Sequence, residues 1–194
     1  MPTPAILLLA AGASSRMQGA DKLLERIDGT PLIRHMAATC LRASDDVAVT
    51  LGPSHDLRRT ALAGLKVLQI RVPDPTEGMA ASIRTAIAAL KDRPALMILP
   101  ADMPGLRADH LTSLIRAWDG SADRIVRARA GGHPANPVLF GCGHFPILAN
   151  LRGDRGARDY LATRTADISY VDLPAEAVVD LDTQEDWARW RART

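Results

Sequence analysis

Aromatic side chains are scarce in this sequence: two Phe, three Trp and two Tyr make up 4% of its 194 residues. That scarcity argues against a surface on which the bases of a single strand would stack. The formal charge of +2 provides no polybasic stripe either, although the sequence pI of about 8.8 tolerates small anions. No nucleic-acid partner is expected. Cysteine is nearly absent. Cys40 and Cys142 stand far apart, in no metal-ligand spacing, and read as buried or idle thiols of a reducing cytosol. The apolar run at residues 5–11 is too short to span a bilayer, and no basic segment precedes it. No membrane partner is expected, and the location expected is cytoplasmic. Repeats, low-complexity tracts and linkers are also missing, so residues 1–194 read as one domain around one core.

What is present is a regular alternation of short apolar runs and helical periodicity. A continuous apolar run predicts a buried strand at Ala5 to Leu9, and apolar-rich segments predict further strands at Val47 to Leu51, Val67 to Val72, Leu96 to Leu99 and Ile125 to Ala128. Val138 to Phe140, Ile168 to Val171 and Val178 to Leu181 are further strand candidates. Leu23 to Ile27 reads as a short extended piece turning at Asp28-Gly29. Thr30 is the expected cap of a first helix with Pro31 at its first position, and Ser54 the cap of a second running to about Ala63. A third helix carries Met79, Ile83, Ile87 and Leu90 on one face. Others are expected from about Ala108 to Trp118, over Gly156 to Ala162, and from Thr183 to about Arg191. This rhythm predicts an α/β fold, a mostly parallel sheet with helices on both faces. Ligands bind such sheets beyond the carboxyl ends of the strands. The loops after the first and fourth strands, and the loop at 73–78, should therefore share one edge.

The first strand runs into Leu9-Ala-Ala-Gly12-Ala-Ser-Ser-Arg16, with Lys22 just beyond. Gly12 permits positive φ and close approach of a ligand to the backbone, and successive N–H groups in such a loop form an anion-binding concavity. Arg16 and Lys22 add charge suited to a polyphosphate. The loop fits neither the P-loop nor the G-x-G-x-x-G pattern, and taken alone it is equally a packing turn. Asp102 follows the fourth strand. A carboxylate there is well placed to hold Mg²⁺, or else serves as a turn or cap residue. Asp182 precedes the last helix, where it or Thr183 is also an obvious cap, with Glu185 favoured by the helix dipole.

The string L-A-A-G-x-S-x-R-M followed by Lys22 resembles the signature of nucleotidyltransferases that move a nucleoside monophosphate from an NTP onto a phosphorylated acceptor. Among these the chain is most similar to the molybdenum-cofactor (molybdopterin) cytidylyl- and guanylyltransferases. Further motifs carry the resemblance along essentially the whole chain: Gly78-x-x-x-Ser82, Ala-Asp102-Met-Pro, Gly132-His133-Pro, Gly153-Asp-Arg155-Gly-Ala-Arg158, and Asp180-Leu-Asp182-Thr-Gln-Glu-Asp. The last departs from the family pattern at Gln184, where proline is usual. The resemblance implies a single-domain Rossmann-like, GT-A-like nucleotidyltransferase fold. It implies that Leu9, Ala10, Ala11, Gly12, Ala13, Ser14, Ser15, Gly78 and Ser82 bind the nucleotide. Arg16, Lys22 and Asp102 are implied to be catalytic. Asp102, with Asp182 or else Asp180, is implied to hold Mg²⁺. His133, Arg155 and Arg158 lie on the acceptor side, where solvated surface arginines are an equal alternative for the last two. Met79 is expected in the core.

Ala11-Gly12 matches the cytidylyl branch, whereas the guanylyl branch has Gly-Gly. The Asp21-Lys22 pair is similar to the guanylyl branch. The main expectation is CMP transfer from CTP to a molybdopterin-type phosphate with release of pyrophosphate, with transient contact to a molybdoenzyme client. GTP, or a sugar or polyol phosphate acceptor, is the alternative within the same chemistry. A non-catalytic chaperone that holds the cofactor is the alternative of another class.

Overall fold

The apolar run Ala5–Leu9 becomes the central strand β1, and the rest of the chain is laid out on either side of it. The computed structural model describes residues 3–14, 17, 19–153 and 157–192. After β1 come β2 (Arg26–Ile27), β3 (Thr30–Pro31), α1 (Leu32–Leu41), β4 (Val47–Leu51), α2 (Asp56–Ala61), β5 (Leu68–Arg71) and α3 (Met79–Leu90). The second half holds β6 (Ala95–Pro100), α4 (Ala108–Ala117), β7 (Ile125–Ala130), β8 (His133–Gly141), α5 (Phe145–Leu148), α6 (Arg158–Ala162), β9 (Ile168–Asp172) and α7 (Gln184–Arg191).

Among the described residues, seven strands form one sheet in the order β5-β4-β1-β6-β8-β7-β9. Only β8 runs against its neighbours. Leu8 stands opposite Val49 on one side and Leu99 on the other. Successive side chains of β1 serve two cores. Ile6 and Leu8 pack with Met36 of α1, Leu114 of α4 and Trp187 of α7. Ala5 and Leu7 pack with Ile83 and Leu90 of α3 and Phe145 of α5. A strand covered by helices on both faces has no polar side to show, which is why its sequence is apolar throughout. Each Leu or Ile buried this way contributes roughly 2 kcal/mol.

Three local expectations are corrected. Thr30 does not cap α1. Thr30–Pro31 instead pairs with Arg26–Ile27 across a two-residue turn in which Asp28 and Gly29 both have positive φ, the geometry that suits a tight hairpin. Helix α1 finds its N-terminal acceptors in that hairpin's approach: Leu32 N–H donates to the Glu25 carbonyl at 2.8 Å and Ile33 N–H to Leu23 at 2.9 Å. Nor does Ser54 cap α2, whose cap position is His55.

Val178 to Leu181 forms no strand. β6 already has β1 and β8 as neighbours, so the sheet has no place for it beside Asp102. The segment follows a 3₁₀ turn at Ala175–Val178, and Leu181 N–H donates to the Asp102 carbonyl at 2.9 Å. The expected cap of α7 is present: Thr183 accepts from Asp186 N–H, and Asp186 returns the bond to Thr183 N–H.

Both cysteines are free, and burial pushes the Cys40 thiol up to about 12. Among the described residues, no helix is long and apolar enough to cross a membrane.

Candidate active site

The carboxyl ends of β1 and β6 open onto a cavity of about 670 Å³. One wall is the loop Ala10 to Ser14, another is Pro75, Thr76, Gly78, Met79 and Ser82, and the floor carries Lys22, Asp102, Asp180 and Asp182. The three loops predicted to share an edge do so here. Ser15, Arg16 and Arg155 lie outside the described residues.

The loop after β1 is anchored from both ends. Ala10 N–H donates to Thr50 Oγ1 at 3.3 Å, and Ala101 N–H to the Leu9 carbonyl at 3.1 Å. Gly12 does not use positive φ; that conformation falls on Ser14, at φ 52°. A Cβ placed on Gly12 would meet nothing within 4 Å, so a side chain there would project into open space beside the loop. The Ala11 methyl is buried against Val72 and Ala81.

Opposite, Gly78 at φ 88° turns the chain into α3, whose first residues face the cavity. The positive end of a helix of this length favours an anion. Met79, expected in the core, is 42% exposed and lines the cavity. Its neighbour one turn on, Ser82, is buried at the cavity wall.

Lys22 links the acidic side. Its ammonium donates to Asp102 Oδ2 and, at 2.7 Å, to Asp182 Oδ1. Burial works against the charged lysine, but the two carboxylates outweigh it and its pKa is raised. The other Asp102 oxygen, Oδ1, is buried without a hydrogen-bond partner. Asp182 is held by the start of α7, where Asp186 accepts from its N–H at 3.3 Å.

On the acceptor side the structure separates the predicted residues. His133 is exposed at the start of β8, and Arg158 is exposed at the start of α6; neither lines the cavity. The strand that carries His133 delivers Asn136 to the cavity instead. Arg158 lies close enough to Arg127 for their charges to interact, and Arg127 donates to the Ala135 carbonyl at 3.1 Å.

One residue that sequence reasoning passed over shapes the loop. Arg58 of α2 is 1% exposed. It forms a two-bond pair with Asp21 and donates to the carbonyls of Ala10 and Gly12. In the sequence Arg58-Arg59 looks like a solvated pair, and Arg59 does pair with Asp56 at the surface. The available signal was spacing, since Arg58 lies one turn before the buried Leu62 and so on the inward face.

The model of the MobA-like NTP transferase domain matches residues 6–168, from the start of β1 to the start of β9. The chain belongs to that family. Among curated relatives, the molybdenum cofactor guanylyltransferase of Burkholderia vietnamiensis is 33% identical over 130 residues, 65% of this chain and 62% of its own length. The chain thus spans less than two thirds of that relative. Among solved structures, Rv0371c from Mycobacterium tuberculosis H37Rv is 26% identical with a TM-score of 0.86, covering 97% of this chain and 96% of its own. A complex of Rv0371c with manganese superposes with a TM-score of 0.81 at 24% identity, over 97% of each chain. The family's nucleotidyltransferase fold is therefore shared along nearly the whole MobA-like chain. The curated relative's name is guanylyl, not the cytidylyl expected from Ala11-Gly12.

Proposed function

We propose that this protein transfers a nucleoside monophosphate from an NTP to the phosphate of a molybdopterin-type acceptor, releasing pyrophosphate. The observation that carries this reading is the meeting of Lys22, Asp102 and Asp182 at one side of the cavity, facing the loop of Ala10 to Ser14. A triphosphate would lie between them. GTP is the donor that the named relative supports. CTP is the second reading, favoured by Ala11, whose methyl fills space beside Val72 and Ala81.

A divalent cation fits the acidic side. Asp102 Oδ1 is buried and unpartnered, and the Lys22 ammonium shows that the two carboxylates hold positive charge between them. Hard oxygen donors of this kind suit Mg²⁺ or Mn²⁺, and the manganese complex of the Mycobacterium tuberculosis protein agrees. Asp102 and Asp182 would hold the ion, which would supply charge neutralisation on the phosphates.

In the reaction an acceptor phosphate oxygen forms a bond to the α-phosphorus while the bond to the bridging oxygen breaks, and the electron pair leaves with pyrophosphate. The attacking phosphate is already ionised, so no protein base is required. The chain's work is positioning and charge. The N–H groups of the loop and the Lys22 ammonium hold the leaving phosphates. Gly78 and Ser82 bound the space for ribose or base. Asn136, on the cavity wall, is the residue that would face the acceptor.

The test is label transfer from each of four α-³²P-labelled NTPs into a molybdopterin-type acceptor, with Mg²⁺. Labelled product with GTP is the expected result. Product with CTP alone selects the second reading. Tight acceptor binding with no labelled product from any NTP overturns the enzyme in favour of a carrier.

A further inference from the structure

Arg58 is buried beneath the nucleotide loop, and its hydrogen bonding is fully accounted for. A guanidinium carries five N–H donors. Here Nε donates to Asp21 Oδ2 at 2.7 Å, and Nη2 to Asp21 Oδ1 at 2.7 Å and Ser14 Oγ at 3.1 Å. Nη1 donates to the carbonyls of Ala10 at 2.7 Å and Gly12 at 2.8 Å. Every donor thus has an acceptor in the loop or on the residue before Lys22, and Nη1 has a longer contact, at 3.4 Å, with Nδ1 of His55.

The consequence is directional. In a trans peptide the carbonyl and the following N–H point opposite ways. Turning the Ala10 and Gly12 carbonyls onto Arg58 turns the N–H groups of Ala11 and Ala13 away from it. Arg58 does not line the cavity, whereas Ala11 and Ala13 do. Among the described residues, no acceptor is paired with the N–H groups of Ala11 or Ala13. The third loop contact holds Ser14 in its left-handed conformation, one that side-chain-bearing residues rarely adopt.

We propose that Arg58, neutralised by Asp21, is the positioning residue that sets the nucleotide loop in its anion-binding form. It touches no ligand. A cation at this place would add nothing directly to phosphate binding, since its charge is spent on Asp21. Its effect is to present backbone N–H groups to the phosphates and to fix the turn that carries Lys22. Lysine cannot replace it, because a point charge lacks the planar fork that reaches five acceptors.

This inference rests on the cavity being a triphosphate site, and the experiment separates the two. Binding of GTP, CTP and the two unphosphorylated nucleosides is measured by titration calorimetry on the wild type, Arg58→Lys and Asp21→Asn, with melting temperatures alongside. In Arg58→Lys the triphosphate Kd is expected to rise about 30-fold, and nucleoside binding to change less than about twofold. Asp21→Asn, which removes the charge but keeps an acceptor oxygen for Arg58, is expected to weaken triphosphate binding about fivefold with the same selectivity. Folded variants with wild-type triphosphate affinity overturn the proposal, as does equal weakening of nucleoside and triphosphate. If Arg58→Lys does not fold, Asp21→Asn alone decides. A wild type that binds no triphosphate overturns the site reading itself.

Discussion

Lys22 and Asp182 are separated by 160 residues and meet at 2.7 Å, with Asp102 on the other side of the same ammonium. The lysine therefore serves as internal counter-cation to the two carboxylates proposed to hold a divalent ion. Removing it exposes them to whatever cation is present. Lys22→Met is expected to bind Mn²⁺ about three- to tenfold more tightly in the absence of nucleotide, measured by titration of the free-ion EPR signal. The same variant should lose most nucleotidyl transfer. Unchanged or weaker Mn²⁺ binding contradicts the assignment of Asp102 and Asp182.

Asp182 is also tied to the stability of α7. Thr183 accepts from Asp186 N–H, and Asp186 accepts from the N–H groups of Thr183 and Asp182. Thr183→Ala is expected to cost about 1 kcal/mol in denaturant unfolding. It should also lower turnover, because the backbone that aims Asp182 is loosened. A variant with unchanged stability would mean that the cap is not formed in solution.

Gly78 sits at φ 88° and ψ −168°, a conformation essentially reserved for glycine. Gly78→Ala should cost roughly 1–3 kcal/mol of stability by this strain. It should raise KM for the NTP more than for the acceptor, since Gly78 borders the nucleotide wall of the cavity. Equal KM changes for both substrates would remove Gly78 from the nucleotide side.

Acid should destabilise the fold through histidine before carboxylates respond. His55 Nδ1 accepts from Gly52 N–H at 3.0 Å, which requires that nitrogen to be unprotonated. Burial lowers its pKa first, with Arg58 and Arg59 adding to the effect and Asp21 opposing it. Burial likewise lowers His35 and His110. With folded pKa values below the unfolded value of about 6.5, the unfolded chain binds more protons, so stability rises with pH through this window. Their contribution is complete above about pH 6.5 and is lost as pH falls through the folded values. The urea midpoint should therefore be lower at pH 5 than at pH 7.5. A midpoint that does not fall contradicts the assignment. Asp21 acts further down the scale: burial raises its pKa, but the bonds and charge of Arg58 outweigh this and hold it below the usual carboxylate range.

Most of the scaffold was legible because its central strands are buried on both faces. β1 and β6 are apolar without interruption and β4 is broken only by the buried Thr50, and the small residues and prolines after them mark where ligand-facing loops begin. What local pattern cannot convey is competition for places in the sheet. Val178 to Leu181 has the composition of a strand but no vacant neighbour, and so becomes the strap that delivers Asp180 and Asp182 to the cavity. Thr30-Pro31 likewise has the chemistry of a helix start, yet the positive-φ turn beside it draws it into a hairpin. At the site, cavity residues on β1 and β6 and at the start of α3 follow from their elements. Arg58 was hidden because a buried cation is recognisable only from its partners, and those lie between 37 and 48 residues away. His133 was named because Gly132-His133-Pro resembles the family's motif, whereas it is the position along β8 that decides which residue reaches the cavity, and that residue is Asn136.

The central claim is nucleotidyl transfer that depends on Asp102. Acceptor-dependent pyrophosphate release should be followed with Mg²⁺ and each NTP, for the wild type and Asp102→Asn. The wild type is expected to release pyrophosphate only when acceptor is present. Asp102→Asn should stay folded, with activity reduced by about 10³-fold or more, as when a group stabilising transition-state charge is lost. Substantial Mg²⁺-dependent release by Asp102→Asn, or none by the wild type with any NTP, would contradict the account.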